Sequence, residues 1–139
     1  MEEIKSSLTA RVLAATGLIG GAAAAAGVAW FNPATAGFFP QCPLYLMTGL
    51  ACPGCGLTRG FHALFHGDVL GALDYNALLP VYVLLFAYLA ASLVSVAARG
   101  RSLSFKLFQP KALYCFLVVS LVFGVVRNLP FYPFSVLYP

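Results

Sequence analysis

"LLPVYVLLFAYLAASLVSVAA", Leu78 to Ala98, runs for twenty-one residues without a charge. About 20 apolar residues in a helix cross the hydrocarbon core of a bilayer, so this run predicts a membrane span. Pro80 falls in its first turn, where a missing N–H costs little. Toward the amino terminus lies a second such run, "VLAATGLIGGAAAAAGVAWF", Val12 to Phe31. Lys5 and Arg11 precede it, and Trp30 and Phe31 close it where an aromatic belt is expected. Toward the carboxyl terminus, Ala112 to Val126 is shorter, between Lys111 and Arg127. Both flanking side chains can snorkel, and Pro110 suits a helix start.

Composition agrees. The chain has 139 residues, 61% hydrophobic and 9% charged, against about 25% charged in a soluble domain. Too few charges are present to cover a water-facing surface. The formal charge of +4 is spread along the chain, with no basic run interleaved with aromatics, which excludes nucleic acid as a partner. The expectation is an all-α membrane protein of one domain, residues 1–139. Three transmembrane helices lie at about 12–31, 78–98 and 112–127, and a cysteine-bearing segment at 42–77. Ala34-Thr35-Ala36 fits a signal-peptide cleavage pattern, but the run before it exceeds the roughly 7–15 residues of a signal core, so it is read as a span. Gly17 and Gly21 form a G-x-x-x-G step, which lets another helix approach closely. That helix is expected from this chain, with a homo-oligomer or another membrane protein as the alternative partner.

Arg99, Arg101, Lys106 and Lys111 crowd the link between the second and third spans, while residues 32–77 hold Arg59 as their only Lys or Arg. The positive-inside rule then places the amino terminus in the cytoplasm and residues 32–77 outside. The tail "RNLPFYPFSVLYP" ends outside as well, with Phe131, Tyr132, Phe134 and Tyr138 suited to an interfacial belt.

The outer segment is too polar and too broken to span. "TRGFHALF", Thr58 to Phe65, predicts a short helix with Phe61, Leu64 and Phe65 on one face and Arg59, His62 and His66 on another. Gly67 reads as its stop and Asp68 as the N-cap of a second short amphipathic helix. Two short interfacial helices in the first outer loop are therefore expected.

Within "CPLYLMTGLACPGCGLTRG", Cys42 to Gly60, three cysteines call for explanation. A disulfide from Cys42 to Cys52 or Cys55 would persist on an oxidising outer face and leave one thiol over. Zinc would take Cys42, Cys52 and Cys55 as sulfur ligands, with His62 or His66 as the fourth. A membrane thiol–disulfide oxidoreductase would use Cys52 to attack and Cys55 to resolve, with Arg59 and the helix start favouring the thiolate. The fourth reading is a tight helix entry built on Pro53, Gly54 and Gly56 with reduced thiols. Haem attachment is excluded, because Gly56 stands where Cys-x-x-Cys-His needs histidine. Cys115, near the cytoplasmic start of the third span, is expected to be a buried small apolar residue.

Cys42, Pro43, Gly49, Cys52, Pro53, Cys55, Gly56, Thr58, Arg59, Gly67 and Asn76 carry a further signal. This pattern resembles a family of small prokaryotic multi-pass membrane proteins of unknown function. Its core is C-P, then about ten residues on C-P-x-C-G-x-T-R, and its ending looks like "RNLP", Arg127 to Pro130. The resemblance covers roughly Cys42 to Pro133; Ala77 departs from it, since the family pattern has proline there. It implies a prokaryotic plasma membrane and points to these residues, but implies no activity. It also ties Arg127 to Arg59, both expected at the outer boundary. An arginine there needs a partner. One candidate is Asp68 or Asp74. The other is an anion or lipid head group held by Arg59, Arg127 and the free N–H groups from Gly56 to Thr58, with Asn76 and Asn128 adding side-chain amides.

Three functions follow as expectations. The leading one is an accessory or scaffold membrane protein with a structural zinc or disulfide centre. The alternatives are the oxidoreductase and an anion- or lipid-binding module.

Overall fold

The computed structural model describes residues 7–101, 103, 109–132 and 137–138. Lys5, Lys106 and Phe134, which entered the topology above, lie outside the described residues. Among the described residues every regular element is helical: α1 (Leu8–Trp30), α2 (Pro43–Thr48), α3 (Leu57–Phe65), α4 (Val69–Tyr75), α5 (Leu79–Arg99) and α6 (Pro110–Val126).

Two helices, α1 with 23 residues and α5 with 21, are long and apolar enough to cross a membrane. The third expected span is a shorter apolar helix, α6, of 17 residues. At 1.5 Å per residue it reaches about 25 Å, against a hydrocarbon core of about 30 Å. On all three, large apolar side chains such as Leu13, Ile19, Leu84, Leu121 and Val125 are exposed. A helix apolar on its outward faces suits hydrocarbon rather than water. Cys115 follows the same rule and corrects the expectation of burial: it is exposed, on an α6 face where Tyr114, Leu117 and Val118 also point outward.

The chain divides into two units. Of the described residues, the first holds those within 7–27 and 81–103, most of α1 and most of α5. Here Arg11 donates from Nε and Nη2 to the carbonyls of Ala97 and Ala98, at 3.0 and 3.1 Å. These last-turn carbonyls lack helical donors, and a cation at a helix carboxyl end also meets the helix dipole favourably. A Cβ on Gly17 would lie 3.7 Å from Leu93 Cδ1, whereas one on Gly20 or Gly21 would meet nothing within 4 Å. One glycine of the G-x-x-x-G step therefore faces α5 and the other does not.

The second unit holds the described residues within 28–80 and 109–138. Three short helices occur in the segment where two were expected. The additional one, α2, has Cys42 as its N-cap residue, Pro43 in its first turn and Gly49 at φ +73° as its C-cap. Proline before and glycine after are ordinary helix punctuation, but six residues are too few for apolar periodicity to register. Helices α3 and α4 fold as a hairpin. Gly67, at φ +83°, ends the first, and the Asp68 carboxylate accepts the Gly71 N–H at 2.9 Å to cap the second. The close approach is made at Gly60, where a Cβ would lie 3.1 Å from the Ala72 carbonyl oxygen. Among the described residues the largest fully buried side chains are not aliphatic: they are Arg127 and Asn76.

Candidate metal centre

The segment from Ala51 to Gly56 is a run of turns. The Cys55 N–H donates to the Cys52 carbonyl at 3.0 Å and the Leu57 N–H to the Gly54 carbonyl at 3.1 Å. Gly56, at φ +80°, turns the chain into α3, in a left-handed region that favours glycine. Such a loop leaves carbonyls without helical or sheet partners, and buried carbonyls require donors.

Three side chains supply them. Asn128 pairs with the Ala51 backbone: its Oδ1 accepts the N–H at 2.8 Å and its Nδ2 donates to the carbonyl at 2.8 Å. Asn76 Nδ2 donates to the carbonyls of Pro53 and Cys55 at 2.9 and 3.1 Å, while its Oδ1 accepts the Leu78 N–H at 2.9 Å. Arg127 Nη1 donates to the carbonyls of Cys52 and Cys55 at 2.9 and 3.1 Å. Its Nε reaches Leu137 and its Nη2 reaches Tyr75, both at carbonyls, at 3.2 and 3.4 Å. The guanidinium carbon also lies 4.9 Å from the centre of the Phe123 ring. Gly124 completes the cradle, since a Cβ there would stand 2.9 Å from Pro53 Cγ. The tail motif and the cysteine motif are thus one structural unit.

This arrangement replaces the expected arginine–aspartate pair. Among the described residues neither Arg59 nor Arg127 pairs with a carboxylate; Asp68 is used as a helix cap and Arg127 by carbonyls. Four carbonyls, two from the loop and one each from Tyr75 and Leu137, give Arg127 more acceptor oxygens than a single carboxylate would.

Held this way, the loop brings Cys52 and Cys55 together. The Cys52 N–H donates to Cys55 Sγ at 3.2 Å, and the two sulfurs are 3.3 Å apart. Cys42 joins them from the start of α2, and the three sulfurs lie within 4.8 Å of one another. Zinc–sulfur bonds of about 2.3 Å in a tetrahedron imply sulfur separations of about 3.8 Å, so the cluster has the size of a metal site. The thiols are not equivalent. The Tyr45 N–H, followed by the Cys52 thiol, draws Cys42 down from 9.0 to about 7, as expected for a thiolate at a helix start. Burial, reinforced by its hydrogen bonds with Cys52 and Cys42, pushes Cys55 up to about 12. A thiol so costly to ionise in a metal-free site is the one that gains most from a cation beside it.

His62 and His66 stand apart from this group. Among the described residues, the side chains close enough to share an ion with the cysteines include neither histidine. His62 Nδ1 lies 2.7 Å from the Val28 carbonyl and His66 Nδ1 lies 2.8 Å from the His62 carbonyl. Three of the residues grouped as an anion set, Gly56, Thr58 and Arg59, line a cavity of about 710 Å³ together with Cys42, Cys52 and Cys55. The others, Arg127, Asn128 and Asn76, are committed to the loop carbonyls. The Arg59 guanidinium sits 5.3 Å from the centre of the Tyr75 ring and has no hydrogen bond among the described residues.

The carbonyl-holding roles of Arg127 and Asn128 were not foreseen from sequence, although the shared motif pointed to both. Asn76 was expected as a motif position and as an amide beside an anion; it holds the loop carbonyls instead, and nothing local marks it as a buried anchor. Comparison with known proteins yields no match among curated proteins or solved structures. Residues 42–90, from the first cysteine of the cluster into α5, match the family described as "Protein of unknown function (DUF2752)".

Proposed function

We propose that this is an integral membrane protein of accessory type whose outer segment is organised by a zinc ion on Cys42, Cys52 and Cys55. The convergence of three sulfurs within 4.8 Å carries the reading. A disulfide needs only two of them and would leave the third without a role. Soft thiolates favour zinc over calcium or magnesium. Charge supports the same conclusion. Arg127 is fully buried with neutral carbonyls as its partners, an expensive placement for a lone cation. Three thiolates around a divalent ion carry one net negative charge, which offsets the guanidinium across the loop. The metal would then join α2 to the start of α3 and fold the segment against α6.

In this reading α1, α5 and α6 all span the membrane, the amino terminus is cytoplasmic and the cysteines lie outside, from the placement of basic residues. Metal analysis of the purified full chain tests the proposal: about one zinc per chain is expected, and less after Cys42→Ser, Cys52→Ser or Cys55→Ser. Protein purified without metal that stays free of it on incubation with zinc would reject the reading.

A further inference from the structure

We infer that the cysteine centre has an open coordination position that takes a small thiol bearing a carboxylate, with the sulfur on the metal and the carboxylate on Arg59. The inference rests on the metal reading above and specifies what that site receives.

Four observations support it. Among the described residues the cluster provides three ligands, and zinc normally takes four; a fourth from outside is the pattern of sites that bind exogenous molecules. The site is not sealed: Cys42 and Cys52, both half-buried, line the cavity of about 710 Å³ beside the buried Cys55, and that size is typical of small-molecule sites. Arg59 lines that cavity too, held beside Tyr75, with none of its donors hydrogen-bonded among the described residues. Finally, Arg127 is spent on the loop carbonyls, so Arg59 is the guanidinium that the cavity lining offers to an anion. A soft, thiolate-rich metal selects a sulfur donor. A guanidinium selects a carboxylate, which it can hold through two parallel hydrogen bonds. Thr58, also in the lining, adds a hydroxyl.

The step is ligand addition without redox change. The incoming thiol loses its proton to solvent, a sulfur–metal bond forms, and any water in the fourth position leaves. Cobalt(II) in place of zinc makes the event visible, because its absorption reports the number of thiolates bound. The full chain in detergent is loaded with cobalt and titrated with mercaptoacetate or with uncharged 2-mercaptoethanol. Cobalt retained after gel filtration is measured alongside.

In the wild type, mercaptoacetate should change the spectrum at roughly tenfold lower concentration than 2-mercaptoethanol, the scale of one charge-assisted pair. In Arg59→Gln the preference should vanish while one cobalt per chain is retained; Arg59→Lys should restore part of it. Retained cobalt with no spectral response to either thiol overturns the open position. Equal affinities in the wild type, or an undiminished preference in Arg59→Gln, overturn the role of Arg59. Failure to bind cobalt at all overturns the metal reading, and this inference with it.

Discussion

Replacing Arg127 with methionine should loosen the cysteine loop without disturbing the rest of α6. The two bonds that matter run from Nη1 to the carbonyls of Cys52 and Cys55, at 2.9 and 3.1 Å. Neither carbonyl is stranded by their loss. Cys52 keeps the Cys55 N–H at 3.0 Å, and Cys55 keeps Asn76 Nδ2 at 3.1 Å. A hydrogen bond from a charged donor contributes ~1.5–3 kcal/mol. The low end applies here, because the variant also avoids the cost of burying a guanidinium. Two such bonds give a loss of about 3 kcal/mol in the local stability of the loop, or roughly a hundredfold rise in its open population. The readout is the alkylation rate of Cys55 by N-ethylmaleimide in metal-free, detergent-solubilised protein, resolved by peptide mass spectrometry. Cys55 is buried and Cys115 exposed, so the second thiol is an internal control. The expected result is a Cys55 rate raised about a hundredfold with Cys115 unchanged. A Cys55 rate within twofold of wild type would refute the idea that Arg127 holds the loop.

Other perturbations address the same cradle. Gly124→Ala places a methyl group 2.9 Å from Pro53 Cγ and should lower thermal stability by about 1–3 kcal/mol, an overpacking cost; an unchanged melting temperature would count against the close α6–loop contact. Asn76→Ala removes three hydrogen bonds at a buried position and should destabilise more than Asp68→Ala, which removes one exposed cap. In metal-free protein, iodoacetamide modification of Cys42 should rise with a midpoint near pH 7, while Cys55 stays unreactive at neutral pH. The linked stability follows the same signs. Cys42, depressed in the folded state, contributes stability above pH 9.0 that is lost as pH falls through about 7. Cys55, raised in the folded state, contributes below pH 9.0 and is lost as pH rises through about 12. A Cys42 midpoint at the ordinary thiol value would contradict its placement at the start of α2.

The apolar runs were legible because length and charge decide them: twenty-one residues from Leu78 to Ala98 without a charge leave little else to read. Gly67 and Asp68 were legible too, since stop and cap are local chemistry. The cysteine cluster was legible as a set of three but not as a set without histidine. Which face of α3 turns toward Cys42 depends on how the loop before it is held, and that is settled by residues some seventy positions away. Arg127 shows the limit most clearly. Its sequence context demanded a partner, and Asp68 and Asp74 were the obvious candidates. What it found was the row of carbonyls exposed by the turns around Pro53 and Gly56, and acceptors of that kind are carried by every residue. Helix α2 was missed because its signals, Pro43 and Gly49, enclose only one and a half turns.

Zinc K-edge X-ray absorption on the purified full chain tests the central claim most directly. The account predicts one zinc per chain with three sulfur neighbours at about 2.3 Å, falling to two in Cys42→Ser. A zinc shell of nitrogen and oxygen alone, or the same sulfur count after Cys42→Ser, would contradict it.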